Sequence, residues 1–181
     1  MGGRGDLAHV VVDGWGRLAE ELTAQLRRCR VEVRGGTHAA DGAEIALDAD
    51  AVPPAVVAVV AQGRAPGWAG APWQARGIPH LPLVLADRTI VVGPLVVPGR
   101  TACLRCARAA ASGSDVGGAD TPDGGVVLGA AVATVTVLAV LRGDLSLGGI
   151  STEIGLDEVA VTHRLWSPRP GCGCSRVRMA G

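Results

Sequence analysis

An α/β domain built on a mostly parallel sheet is the fold class this sequence predicts, and three observations carry that expectation. Ala8-His-Val-Val-Val12 is a short β-branched run that meets a glycine turn and then a helical period, before Val31-Glu-Val33 returns to strand character. Such a β-α-β unit, over residues 8–34, implies parallel strands joined by a right-handed crossover. Ala55 to Val60 is an unbroken apolar run, as expected of a strand buried on both faces. With 181 residues, 48% of them hydrophobic and 19% charged, the chain has room for a single globular domain over 1–181.

The elements follow in order. From Arg17, helical spacing places Leu18, Leu22, Leu26 and Cys29 on one apolar stripe, with Glu20, Glu21, Arg27 and Arg28 mostly on other faces. A thiol on that stripe is expected to be buried and inert. Residues 35–51 are rich in Gly, Ala and Asp, with a short strand expected at Glu44–Leu47. A loop marked by Gly63, Pro66, Gly67, Gly70 and Pro72 comes next, holding a short helix near Trp73–Arg76. Strands are expected at His80–Leu85 and Thr89–Val97, around a tight turn at Asp87-Arg88. Residues 112–125 contain seven Gly or Ser and read as a mobile loop. An apolar helix over 126–142 is stopped by Gly143. Its apolar stretch, Val126 to Leu141, falls short of a membrane span and reads as a buried helix. Gly149–Gly155 and Glu158–Trp166 close the sheet as antiparallel strands.

Composition excludes several mechanisms. Seventeen basic residues, all arginine, balance seventeen acids, so no basic excess draws in nucleic acid or an anionic membrane. Lysine and asparagine are absent, as are phenylalanine and tyrosine. Schiff-base chemistry and lysine-dependent phosphate binding are therefore excluded. The first residues show no targeting pattern, and a cytoplasmic location is expected.

Two motifs carry chemistry. Gly14-x-Gly16-x-x-Ala19 lies between a strand and a helix, the context in which such a turn brings backbone close to a phosphate at a helix N-terminus. Gly14, Gly16 and Arg17 are the candidate contacts to a nucleotide such as ATP. Trp15 within the turn, and Arg34-Gly35-Gly36 where an acidic residue would close the second strand, point instead to a turn kept for structure. The second motif is the cysteine set. Cys103-x-x-Cys106 and Cys172-x-Cys174 are two close pairs separated by a long segment, the pattern of a four-thiolate structural zinc site. Such a site ties the part of the chain from 98 onward to its own tail, and Arg100, Arg105, Arg108 and Arg176 offset the thiolate charge. Four thiolates leave the metal no open position for catalysis.

With these residues in place, the chain resembles the ThiF/MoeB type of protein, the Rossmann-like ubiquitin-activating-enzyme fold, which begins with such a glycine turn and ends with two zinc-binding cysteine pairs. The stretch from Ile78 through Val92-Gly-Pro-Leu-Val-Val-Pro-Gly-Arg-Thr-Ala-Cys-Leu-Arg-Cys106, with Trp166-Ser-Pro-Arg-Pro-Gly-Cys-Gly-Cys174, is most similar to the azole-peptide branch. That branch comprises ThiF-like partners of YcaO cyclodehydratases. The resemblance implies a three-layer domain, a zinc ion, a homodimer through the 126–141 helix, and a cyclodehydratase or precursor peptide as partner. Adenylating members of the family use Arg, Asn, Lys and Asp around ATP and magnesium. Here Lys and Asn are missing, and the 55–60 strand runs into Ala61-Gln62-Gly63-Arg64 without the metal-binding Asp. The expectation is a non-catalytic scaffold or recognition protein with no catalytic residue. A degenerate nucleotide-binding protein of this type, or a weak adenylyltransferase, is the alternative. Proteins of the azole-peptide branch usually carry a small N-terminal peptide-binding module; the resemblance begins here directly at the first strand, and the module is expected to be absent or encoded elsewhere.

The four histidines show no metal-ligand or His–Asp spacing and read as structural or surface groups. Asp41, Asp48 and Asp50 read as a solvated loop, and Trp68 and Trp73 as hydrophobic anchors or a partner surface.

Overall fold

The computed structural model describes residues 8–49, 51–63, 68–86, 88–110, 122–157 and 160–176. Seven strands are present: β1 (His9–Asp13), β2 (Glu32–Gly36), β3 (Val56–Gln62), β4 (His80–Ala86), β5 (Thr89–Val92), β6 (Ile150–Gly155) and β7 (Ala160–Leu165). They form one sheet in the order β2-β1-β3-β4-β5-β6-β7. β2, β1, β3 and β4 are parallel, and β5, β6 and β7 extend the sheet in antiparallel fashion. The helices are α1 (Arg17–Arg28), α2 (Ala39–Asp48), α3 (Ala71–Ala75), α4 (Leu104–Ala110) and α5 (Asp123–Leu141).

Strand alternation sorts the sheet into two cores and three layers. Val10, Val12, Val56, Ala58, Leu81, Leu83 and Ile90 face α1 and α5, while Val11, Val57 and Val59 face α2 and α3. α1 buries Leu18, Leu22 and Leu26 almost completely, each burial contributing about 2 kcal/mol. Arg27 and Arg28 in its last turn complement the helix dipole. α5 is rich in Val and Thr, residues of modest helix propensity, so tertiary packing holds it. A Cβ on Gly129 would lie 2.8 Å from the Ile90 side chain, and this glycine lets α5 settle directly on β5. Gly143 ends the helix as expected, with Gly143 N–H donating to Val140 O at 2.8 Å and Asp144 N–H to Ala139 O at 2.9 Å.

Several expectations need correction. The strand expected at Glu44–Leu47 lies inside α2, whose alanines pack on the sheet beneath them. The strand expected over Thr89–Val97 stops at Val92; beyond Gly93 only isolated bridges remain, His80 with Val96 and Leu95 with Gly148. The apolar helix begins at Asp123, so 123–125 belong to its start, while 112–121 of the expected mobile loop lie outside the described residues. Cys29 caps the end of α1 and is exposed, because the stripe ends at Leu26. By length and composition α5 is apolar enough to cross a membrane, and its inner half is buried against the sheet and α1.

Candidate functional site

The four cysteines converge. Cys103 immediately precedes α4 and Cys106 lies in its first turn, where Cys106 N–H donates to Cys103 O at 2.9 Å. Cys172 follows the last strand, and Cys174 sits in a short 3-10 turn, Gly173–Arg176. Sequence separations of 69 and 68 residues close to Sγ–Sγ distances of 3.8 Å for Cys103–Cys172 and 3.8 Å for Cys106–Cys174. Cys103 and Cys106 lie 3.7 Å apart, and all four sulfurs fall within 4.8 Å of one another. None forms a disulfide. Four thiols at these separations are a donor set that could hold one metal ion.

The surroundings brace the cluster. Ala102 and Trp166 pack around it, and the Trp166 indole N–H donates to Ser151 Oγ at 2.8 Å, fixing the tail to β6. Arg169 N–H points at Cys106 Sγ at 3.4 Å, and Gln74 Nε2 donates to Cys174 O at 3.4 Å. The sulfurs differ in acidity. A hydrogen bond from the Cys174 backbone, with further ones from neighbouring thiols, pulls Cys172 down to about 6. Burial pushes Cys174 up to about 12 and raises Cys106 as well. Arg105 is the expected arginine that the fold places there: hydrogen bonding and attraction to Cys103 raise its guanidinium. The side chain of Arg176 lies outside the described residues.

At the glycine turn the backbone geometry is present. Gly14 and Gly16 have φ of 128° and 86°. A Cβ on Gly14 would sit 2.6 Å from Val60 O, so glycine is required where β1 leaves beside β3. Nothing lies within 4 Å of a Cβ on Gly16. The turn borders an open groove of about 410 Å³ that also includes Trp15, Glu20, Thr23, Arg27 and Gly36. Two charged side chains flanking the turn have partners within the fold. Arg17 forms an ion pair with Asp123 at the start of α5. Asp13 Oδ1 accepts from Ala40 N–H at 3.0 Å, filling the N-terminus of α2 with an internal carboxylate. β2 ends on Gly35-Gly36 and offers no acidic partner to a ribose.

The remaining residues singled out in the sequence resolve into structural roles. Trp73 is buried and Trp68 is 74% exposed, so the pair does not act together. His38 does pair with an acid, Asp41, at 3.1 Å on the surface, and Asp48 pairs with Arg76 at 2.8 Å; Asp50 lies outside the described residues. His163 Nδ1 meets Thr152 Oγ1 at 3.0 Å. His9 is buried, and desolvation followed by Arg34 lowers it. His80 is the most constrained: its Nδ1 donates to Ile78 O at 3.1 Å, Nε2 has no partner among the described residues, and burial lowers it to about 4. No spacing signal marks His80 or Asp13, because their partners are set by how strands and helices meet.

A parallel βαβ half, an antiparallel extension and a cysteine cage at the tail define a Rossmann-like α/β protein with a candidate metal centre. No family model matches the sequence, and no curated protein emerges as a relative. Solved structures do share the fold. A heterocyclase in complex with substrate and cofactor superposes with a TM-score of 0.67 at 15% identity, over 93% of this chain and 25% of that one. The heterocyclase TruD gives 0.65 at 15%, over 93% and 27%. MccB of E. coli gives 0.66 at 14%, over 96% and 66%. This chain thus spans between a quarter and two thirds of those proteins. The shared feature is the fold, and it is the one implied by the ThiF-type, azole-peptide resemblance in the sequence.

Proposed function

We propose that this chain is a non-catalytic scaffold or recognition protein that supports the modification of a ribosomally made peptide, working beside a YcaO-type cyclodehydratase and knotted by a structural zinc ion. The observation that carries the reading is the contrast between a complete four-thiolate cage and a nucleotide turn whose neighbouring charges are used internally. A tetrahedron with edges near 3.8 Å has its centre about 2.3 Å from each corner, which is the zinc–thiolate bond length. The donor set therefore fits zinc, held by Cys103, Cys106, Cys172 and Cys174. When bound, zinc supplies charge neutralisation and a cross-link, and four ligands leave it no site for substrate. Free thiols suit a reducing compartment such as the cytosol. The fold neighbours support the peptide-modification setting, since one is a heterocyclase bound to substrate and another is MccB with the MccA peptide.

MgATP as an adenylation cofactor does not fit the turn. Asp13 caps α2, and no lysine or asparagine exists in the chain to hold the phosphates. Calorimetric titration of the zinc-loaded protein with ATP and magnesium is expected to give no saturable heat up to millimolar nucleotide. Micromolar binding would favour the nucleotide-binding alternative, for which the open groove beside Gly14 and Gly16 is the supporting feature. The exposed outer side of α5, with Val127, Leu128 and Val135, supports the homodimer, which sedimentation would detect.

A further inference from the structure

β7 is an edge strand without a proline or a bulge. It pairs with β6 along six residues from Ile150↔Leu165 to Gly155↔Ala160, and among the described residues no strand lies on its other side. All six of its residues are exposed, with Val161 at 50% and Leu165 at 71%. Soluble proteins blunt such edges with proline, bulges or outward charge. Here the register is unbroken and proline is absent; His163 bonds Thr152 across the pair, and the exposed Arg164 guanidinium stacks 3.9 Å from the Trp166 ring centroid. Among the described residues, no strand takes up the backbone groups along the outer edge.

The two faces beside this edge differ in chemistry. Val161 and Leu165 share the face of Ile154 and Ile150, which is the α5 side of the sheet. On the opposite face, Ala160 and Thr162 border a recess of about 290 Å³ lined also by Thr89, Glu153 and Asp157. Arg88 pairs with Asp157 there, whereas Glu153 makes no ion pair or hydrogen bond among the described residues. Among the described residues, Glu153 is therefore the recess carboxylate without an ion pair. A strand added to β7 would stand two strand spacings from Glu153, about 10 Å, within reach of an arginine or lysine side chain.

We propose that the outer edge of β7 captures an extended peptide segment by β-strand addition, with apolar residues on the Val161/Leu165 face and a basic residue directed to Glu153. This gives the peptide-recognition reading a place on the molecule and rests on that reading. A capped, fluorophore-labelled octapeptide alternating valine and arginine is the probe, titrated against the full zinc-loaded chain by fluorescence anisotropy. Saturable binding is expected, weakened about tenfold or more in a Val161→Lys/Leu165→Lys double variant, whose substituted side chains already face solvent. Glu153→Gln is expected to weaken this peptide about threefold while leaving a valine–serine peptide unchanged. A probe with proline at alternate positions is expected not to bind.

Unchanged binding in the lysine double variant would overturn the edge site while leaving peptide recognition elsewhere intact. Absence of saturable binding of either peptide up to about 1 mM would overturn it as well. So would sedimentation showing a dimer that the double variant dissolves, because a second copy would then hold the edge. None of these outcomes touches the zinc cage, whose content is measured separately.

Discussion

The glycine turn and the cysteine cage are opposite cases of a motif. At the turn the backbone is intact, yet Arg17 and Asp13 are spent on Asp123 and the α2 N-terminus. At the cage, four sulfurs from two distant segments meet within 4.8 Å with their basic neighbour in place. The difference lies in what packing alone can maintain. Gly14 is held by its approach to Val60, so the turn persists with or without a ligand. Packing gives no comparable reason to crowd four thiols, two of them pushed up in pKa by burial; the proposed zinc ion would supply one by taking all four as thiolates.

The largest expected effect tests the cage. Cys103→Ser should lower zinc content from near one equivalent per chain to well below half, by atomic absorption. It should also cost more than about 4 kcal/mol in urea unfolding. A metal-free wild-type protein of full stability would remove the contrast altogether. Gly14→Ala comes next, at about 3 kcal/mol, because the added Cβ meets the Val60 carbonyl and φ is positive. Gly16→Ala, with open space around it and only the φ of 86° against it, should cost about 1 kcal/mol. The ratio of these two losses measures how far the turn is a packing device.

Similar in size to the Gly14 loss is a pH effect that neither motif contains. His80 is neutral and buried in the fold, lowered to about 4, whereas the unfolded chain takes up a proton near 6.5. Below 6.5 the unfolded state binds more protons, so stability is complete above that pH and falls as pH drops toward 4. The full loss is on the order of 3 kcal/mol. Urea midpoints at pH 7 and pH 5 should converge in His80→Leu relative to wild type, and the metal's own acid sensitivity cancels in that comparison. The smallest effect belongs to Asp123→Asn. The Arg17–Asp123 pair is exposed on both sides, at 58% and 86%, and its loss should change stability by less than about 0.5 kcal/mol.

Much of the fold is legible in the sequence because its signals are local. The β-branched run before Gly14, the Leu18-Leu22-Leu26 spacing and the Val56–Val60 run each reflect one element meeting one core. α2 escapes such a reading because its Gly- and Asp-containing stretch weakens the helical signal, and the alanines that dock it on the sheet look the same in any conformation. The strand expected over Thr89–Val97 is too long because apolar character continues past Gly93 into segments that bridge other parts of the chain. Cys29 falls outside the core by one helical turn, for a periodicity cannot say where its helix leaves the core.

By itself the sequence determined which chemistry was available: thiolates in two chelating pairs, a turn that needs glycine, and no lysine or asparagine for adenylation. Those are properties of residue type and short spacing, which no fold can alter. Only the tertiary structure decided where that chemistry went. It joined cysteines 68 and 69 residues apart, tied Arg17 to Asp123, set His163 on Thr152 and Arg164 over Trp166, and placed β7 at the edge of the described sheet. Each depends on which segments the sheet order brings together, and contacts between distant segments leave no mark in the local pattern that a sequence displays.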